Sequence, residues 1–393
     1  MAADPGVPTV PVAPFRCPGR SLQDGAGALP VIARAAQIRN GVRVPGLDGV
    51  PAAVEAALTA FLDGKTSPGE DADLTRFIDL LRGLLGAGGK RLRPLLCCCG
   101  WLAADGGDLA RVVPAAASLE LFHTFALIHD DVMDRSDTRR GRPTVHRTLA
   151  DAGSGRPGRT DAERFGVNGA ILLGDLAMVW SDELLHAGGL SAARMAAARP
   201  VLDDMRSELM YGQYLDLLAS ADLDSGLDTS LAVARYKTAK YTVERPLQLG
   251  VALAGGDERM YAACSAYGVP VGEAFQLRDD VLGVFGDPSV TGKPCLDDLR
   301  EGKHTGLLAV ALRQADAAQA RTLRALVGDP RLDEDGAAVV RGVLRATGAL
   351  DTVEYMIRER RRQAVDSLES SPFPSAVRAA LYQLAIAATV RTS

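Results

Sequence analysis

The residues with the clearest capacity for chemistry lie in one acidic stretch, ELFHTFALIHDDVMDRSDTRRGRPTVH, at residues 120–146. On a helix turning about 100° per residue, Asp130 and Asp134 each fall within about 20° of His123. Carboxylates one turn apart suit Mg²⁺, which keeps several waters and completes its shell with substrate phosphate. Arg139 and Arg140 follow closely and could bind the diphosphate oxygens. The pattern predicts a magnesium–diphosphate site, with a solvated acidic face or a salt-bridge network as the alternatives.

A second acidic cluster, FQLRDDVLGVFGD, occupies residues 275–287. If its helix persists to the end, Gln276, Asp280 and Asp287 share one face and Asp279 flanks that face. Glycines and a proline near residue 286 make the last turn doubtful. Two separated carboxylate pairs predict several Mg²⁺ ions held between opposed helices, with enough charge to draw pyrophosphate away as a leaving group.

Lysine is rare in this chain, since only six of the 44 basic residues are lysine. Five of the six lie in unusual contexts: Lys90 in GGKRLRP, Lys237 and Lys240 in YKTAKYT, Lys293 in TGKP and Lys303 in EGKH. Lysine is a compact phosphate-binding charge that arginine does not replace one for one. These positions are therefore predicted to bind phosphate, whereas chance retention on loops and helix ends is the alternative.

The elements that must position these residues are predicted to be helices. From about residue 51 apolar residues recur every three or four positions, which is helical spacing. Helices are expected near 74–85, 92–104, 114–134, 167–187, 191–220, 229–254, 257–283, 306–317, 335–346, 350–369 and 374–390. Residues 1–50 hold seven prolines and no lysine, so they are predicted to form a flexible extension. Two glycine-rich, charged loops, 150–166 and 286–306, are candidates for mobile segments.

Composition excludes several classes of protein. The net charge of −5 and the pI of about 5.7 argue against binding to nucleic acid or anionic lipid. The apolar runs are too short to cross a bilayer, so no membrane span is expected. The cysteines form no CxxC pair and no secretory signal is evident, which predicts a reducing, cytoplasmic location.

Five motifs in fixed order resemble the trans-isoprenyl diphosphate synthases of the polyprenyl synthetase family. They are GGKRLRP (88–94), DDVMD with RRG (130–141), GQYLD (212–216), KT (237–238), and FQLRDD (275–280) with two later GK pairs. The resemblance covers residues 51–393. It implies one large all-α bundle around a central cavity, a homodimer, about three Mg²⁺ ions, and two substrates, isopentenyl diphosphate and an allylic diphosphate.

The resemblance also implies roles for individual residues. Isopentenyl diphosphate would be bound by Lys90, Arg93, His123 and Arg140. The metals would be held by Asp130, Asp131, Asp134, Asp279 and Asp280. The allylic diphosphate would be bound by Arg139, Lys237, Lys293 and Lys303. Gln213, Thr238 and Gln276 match the polar residues that surround the metals and the forming cation.

Product length is expected to depend on the side chains that precede the first aspartate motif. In related enzymes the side chains four and five positions before the first aspartate motif set the cavity floor, and here these are Ala126 and Phe125, with Phe122 as a further candidate. This combination resembles enzymes that stop at geranylgeranyl diphosphate (C20), while farnesyl diphosphate or a longer product stays open. Gly283 departs from the family pattern because it stands where the second motif usually has its third carboxylate, and Asp287 is a possible substitute.

Two rival functions are weighed against the synthase. A class I terpene cyclase shares the bundle and the DDxxD but has no use for a second diphosphate site, and 5% aromatic content is low for a cavity that cradles cyclising cations. A non-catalytic subunit would be expected to lose metal or diphosphate residues, and only Gly283 looks like such a loss.

Overall fold

The computed structural model describes residues 47–65, 71–154, 161–220, 222–286 and 296–389. The described chain is helical apart from short connections and one hairpin made of two strands of two residues each. In its first half the elements are α1 (Val50–Asp63), α2 (Ala72–Gly86), α3 (Leu92–Ala103), a 3₁₀ turn (Leu109–Arg111), α4 (Val113–Met133), β1 (Thr138–Arg139), β2 (Arg142–Pro143), α5 (Val145–Ser154), α6 (Ala162–His186) and α7 (Ala192–Ser220). Then come α8 (Gly226–Val233), a π-helix (Ala234–Glu244), α9 (Arg245–Ala254), α10 (Glu258–Phe285), α11 (Asp297–Arg300), α12 (Gly306–Gln314), α13 (Ala317–Leu326), α14 (Glu334–Ala346), α15 (Ala349–Glu369) and α16 (Ser375–Thr389). The expected all-α class is confirmed.

Helix α4, which carries the first aspartate motif, lies in the middle of the main hydrophobic core. Its buried residues lie on every face, as expected of a helix surrounded by other helices. It packs against α1, α3 and α6, and small residues permit the close approach of α6. At Gly174 of α6 an added β-carbon would overlap the ring of His129 on α4. The motif is thus presented from a rigid, buried helix.

The segment from 226 to 254 is one helical path with a π-helix in its middle, where a single helix over 229–254 was expected. The π-helix lies close against α7 and α10, and the residues of those helices at the points of contact are glycines. A β-carbon added at Gly212 of α7 would lie 2.5 Å from the backbone nitrogen of Lys237. One added at Gly268 of α10 would lie 2.8 Å from the α-carbon of Glu244. These glycines leave room for a widened helix, a form often found at functional sites.

A second hydrophobic core supports the FQLRDD motif on α10. This core joins α10 to α11, α12, α14 and α15 through buried leucines and valines such as Leu277, Leu308 and Val340. Helix α10 ends at Phe285, and Gly286 is extended. A face shared by Gln276, Asp280 and Asp287 would require the helix to continue to Asp287, but the helix ends before that residue. Asp287 itself lies outside the described residues.

Several other sequence expectations need correction or lie outside the description. The predicted loop at 150–166 is largely helical where it is described, because α5 runs to Ser154 and α6 begins at Ala162. Helices α1, α5 and α13 were not among the helices predicted individually. Lys293 and the rest of residues 287–295 in the loop 286–306, together with residues 1–46 of the N-terminal extension, lie outside the described residues. No helix among the described residues is long and apolar enough to span a membrane.

Candidate active site

The first aspartate of the DDVMD motif is surrounded by donors from three other elements. Asp130 Oδ1 accepts hydrogen bonds from Lys237 Nζ at 2.9 Å and from Gln213 Nε2 at 3.1 Å, while its Oδ2 lies 3.3 Å from an Arg139 nitrogen. Burial acts to raise the pKa of Asp130, but Lys237 and Arg139 outweigh it and hold that pKa below its usual value. Asp130 is therefore an anion whose position is fixed by the predicted allylic-diphosphate residues.

The second aspartate anchors an arginine. Asp131 is almost fully buried and accepts a 2.6 Å hydrogen bond from Arg139 Nε. Arg139 belongs to β1 of the small hairpin, in which Arg140 adopts a left-handed conformation with φ 53°. The two adjacent arginines are thereby separated: Arg139 contacts the aspartates, and Arg140 donates to the carbonyl of Gly88.

The third aspartate caps the C-terminal end of α4 beside Lys303. Asp134 Oδ2 lies 3.7 Å from Lys303 Nζ, is buried, and has no hydrogen-bond partner among the described residues. Burial, followed by the neighbouring Asp130, raises the pKa of Asp134 to about 6. Lys303 also lies 2.9 Å from Glu301 and 3.5 Å from Asp298. A buried carboxylate oxygen that accepts no hydrogen bond from the described residues fits a site that takes a cation.

The second motif presents Asp280 toward the π-helix. Asp280 Oδ2 accepts the backbone N–H of Gly306 at 3.1 Å, and Oδ1 accepts from Gln276 Nε2 at 2.9 Å. Gln276 in turn accepts a 2.6 Å hydrogen bond from Thr238, the neighbour of Lys237. Burial raises the pKa of Asp280 to about 7. Asp279 is half-buried on the same turn. The π-helix therefore links the two aspartate motifs.

Gly283, which departs from the family pattern, faces a carboxylate from another element. A β-carbon at Gly283 would overlap Oδ2 of Asp298, the second residue of α11. Sequence reasoning missed Asp298 because it lies fifteen positions further along the chain. The side-chain space at Gly283 is thus occupied by a carboxylate that also contacts Lys303.

A separate basic group lies further up α4. Arg93 donates a 2.7 Å hydrogen bond to Thr242, and its guanidinium carbon lies 4.3 Å from the centre of the Tyr241 ring. His123 Nδ1 lies 3.2 Å from the Tyr241 hydroxyl. Burial, then Arg93 and Arg140, lower the pKa of His123 well below its usual value, so the imidazole is neutral at pH 7. Tyr241 was not predicted, although its place in YKTAKYT was visible.

The carboxylates fit Mg²⁺ when substrate supplies further ligands. No three His, Cys, Asp or Glu side chains converge into a metal-binding group within the described part of the chain. Each motif instead offers separate carboxylate oxygens, and Oδ2 of Asp134 accepts no hydrogen bond from any described residue. Mg²⁺ usually binds through one or two carboxylates together with waters and phosphate oxygens. The donor set therefore suits a metal–diphosphate complex.

An all-α bundle with two aspartate motifs, cations between them and a second basic group defines a diphosphate-handling transferase. The polyprenyl synthetase family model matches residues 75–342. A geranylgeranyl pyrophosphate synthase structure from Corynebacterium glutamicum, complexed with isoprenyl diphosphate and magnesium, is 43% identical with a TM-score of 0.83, over 87% of this chain and 99% of that one. Geranylfarnesyl diphosphate synthase of Aeropyrum pernix is 35% identical over 74% of this chain and 86% of its own length. Geranylgeranyl diphosphate synthase of Methanosarcina mazei is 33% identical over 74% and 83%.

The chain belongs to the polyprenyl synthetase family. It is a prenyltransferase of the trans-prenyl diphosphate synthase class, as the resemblance implied.

Proposed function

We propose that the protein is a Mg²⁺-dependent head-to-tail prenyltransferase that condenses isopentenyl diphosphate with an allylic diphosphate and releases geranylgeranyl diphosphate. One observation carries this proposal: the described residues form two separate cationic groups, one among the aspartates and one around Arg93 and His123. A terpene cyclase needs only the first. Two such groups accommodate two diphosphates, as a condensation requires.

The allylic diphosphate is assigned to the aspartate side. Lys237 and Arg139 already contact Asp130, and Lys303 lies beside Asp134, so all three cations can turn toward a bound diphosphate. Asp130, Asp134 and Asp280 would hold Mg²⁺, which supplies positive charge that stabilises the pyrophosphate leaving group. The preorganised cations add to this stabilisation without reorganising during the reaction.

Isopentenyl diphosphate is assigned to the group of Lys90, Arg93, His123 and Arg140. The neutral His123 can donate a hydrogen bond while the arginines and the lysine supply charge. The double bond of isopentenyl diphosphate attacks the allylic C1 as the C–O bond to pyrophosphate breaks. The resulting tertiary cation then loses a proton to the pyrophosphate. No side chain of the chain is assigned the role of covalent nucleophile.

The C20 product is proposed from the side chains below the first motif. Phe125 is 5% exposed, and its ring centre lies 5.3 Å from that of Phe122 and 4.8 Å from that of His129. This contact between aromatic rings gives the growing chain a rigid floor, whereas Ala126 is too small to block it. Farnesyl and geranylfarnesyl diphosphates are the alternative products.

A homodimer is proposed from an exposed apolar face on α6 and α7, which an Arg206–Asp182 ion pair joins. Leu172 and Tyr214 are 62% and 63% exposed, and Val179 and Tyr211 are similarly exposed. Patches of this kind mark protein interfaces. Light scattering should give a dimer that Leu172→Asp converts to a monomer, whereas Leu74→Asp, at a leucine of α2 that is 55% exposed, should stay dimeric. A wild-type monomer would contradict this proposal.

The product assay tests the proposed function. Purified protein is incubated with Mg²⁺, labelled isopentenyl diphosphate and, separately, dimethylallyl, geranyl or farnesyl diphosphate, and the dephosphorylated products are sized. A dominant C20 alcohol is expected. C15 or C25 products would keep the reaction and move the floor, while no elongation by protein that still binds diphosphate would favour a non-catalytic subunit.

A further inference from the structure

The loop that carries Lys90 ends in a residue with an unfavourable backbone conformation. Arg91 has φ 47° and ψ 40°, the left-handed region that non-glycine residues seldom adopt. It directly precedes α3, and its side chain is only 5% exposed. Such a conformation persists when the surroundings determine it. Something in the structure must therefore hold Arg91 in place.

The guanidinium of Arg91 provides that restraint by joining three helices. One terminal nitrogen donates a 2.6 Å hydrogen bond to Glu120 Oε2 on α4, and the other donates at 2.6 Å to the carbonyl of Leu85 near the end of α2. Glu120 is 6% exposed, so the ion pair lies in the interior. The second acidic neighbour of Arg91, Glu55, is more distant at 3.8 Å. Breaking a buried ion pair is strongly unfavourable, so Arg91 and Glu120 depend on one another.

The ion pair lies next to the basic group assigned to isopentenyl diphosphate. Glu120 precedes His123 by one turn of α4, and Arg91 is flanked by Lys90 and, two residues on, by Arg93. The same loop includes Gly88, whose carbonyl accepts the hydrogen bond from Arg140. The loop thus carries Lys90, leads directly into the first turn of α3 where Arg93 lies, and accepts the hydrogen bond from Arg140. Its conformation at Arg91 therefore sets the positions of Lys90 and Arg93.

We propose that the buried Arg91–Glu120 ion pair positions the isopentenyl diphosphate site by holding the loop in its left-handed turn. Both are positioning residues, since they act through Lys90, Arg93 and Arg140 rather than on the substrate. The inference rests on the proposed function and adds two residues that the motif resemblance left without a role.

Glu120→Gln separates positioning from simple charge. Removing a negative charge beside a site for a diphosphate anion should tighten binding if Coulomb attraction alone matters. Loss of the ion pair should instead release Arg91 and the loop, and so weaken binding. The two explanations predict changes of opposite sign in one variant.

The experiment measures the dissociation constant of isopentenyl diphosphate for the full chain by calorimetry, without allylic substrate. We expect Glu120→Gln to weaken binding at least ten-fold while the KM for the allylic diphosphate stays within two-fold. Glu354→Gln is the control, because within the described part of the chain the Glu354 side chain on α15 accepts its hydrogen bonds from Arg278, a residue assigned to neither diphosphate. Unchanged or tighter binding by Glu120→Gln would overturn the proposal.

Two further variants distinguish a defect in folding from a displacement of the isopentenyl diphosphate site. Arg91→Met with Glu120→Met replaces the pair by apolar side chains, and we expect its melting temperature to recover relative to the single variants while isopentenyl diphosphate binding stays weak. Recovery of binding together with stability would mean that the pair acts only on folding, which overturns the proposal.

Arg93→Ala reports on the site itself: if it leaves binding unchanged, the site assignment fails and the inference with it. Weak binding in Arg93→Ala but normal binding in Glu120→Gln overturns the inference alone.

Discussion

Replacement of Phe125 by alanine should lengthen the product, because it removes the ring on which the growing chain is proposed to stop. Phe125 lies five residues before Asp130 on α4, which is roughly 7.5 Å of helix rise. The next aromatic side chain below it is Phe122, roughly 4.5 Å further along the axis. The two ring centres are 5.3 Å apart. The opened depth is close to one isoprene unit, so C25 should replace C20 as the main product.

The assay compares product profiles under saturating isopentenyl diphosphate and limiting allylic starter. Phe→Ala in a core costs about 3–5 kcal/mol of stability, so each variant must be assayed well below its melting temperature. Phe373→Ala is the matched control, because Phe373 is similarly buried but directly precedes α16, which packs on α3, α10 and α15. Its product should stay C20. An unchanged profile in folded Phe125→Ala would refute the assignment of the floor to Phe125.

Two further perturbations address the cations and Gly283. Lys237→Met should lower kcat about 10²–10³-fold, which is the usual cost of losing one preorganised electrostatic contact, and Lys237→Arg should retain more activity. Single-turnover kinetics would measure the fall in rate. An effect on KM alone would contradict the role assigned to Lys237. Gly283→Ala should displace Asp298 from Lys303; the partly exposed pair contributes about 1 kcal/mol, so kcat/KM for the allylic diphosphate should fall roughly five-fold. Gly342→Ala is the control, because a β-carbon there meets nothing within 4 Å, and its kcat/KM should equal that of the wild type. Equal kcat/KM values for Gly283→Ala and Gly342→Ala would contradict the role given to Asp298.

The first motif was predictable from sequence because its chemistry lies on one helix. The helical spacing of His123 and Asp130 survives in α4, and local spacing needs no knowledge of tertiary packing. Asp134 was placed on the same stripe and lies at the cap just after the helix end. The separation of Arg139 from Arg140 was not predictable, since it depends on a hairpin and a left-handed residue.

The parts that escaped prediction depend on contacts between distant segments. Asp298 reaches Gly283 from another helix, and Arg91 pairs with Glu120 across 29 positions. The π-helix depends on glycines such as Gly212 and Gly268, which lie on neighbouring helices. None of these leaves a periodic pattern in the sequence, because each is determined by which backbones approach closely in the folded chain.

The most direct test of the account measures pyrophosphate release from geranyl or farnesyl diphosphate with Mg²⁺, in the presence and absence of isopentenyl diphosphate. The account predicts one pyrophosphate for each five-carbon unit added, and negligible release when the allylic diphosphate is alone. Rapid release without isopentenyl diphosphate would contradict condensation and indicate cyclisation or hydrolysis. No release under either condition, from protein shown to bind both diphosphates, would contradict catalysis itself.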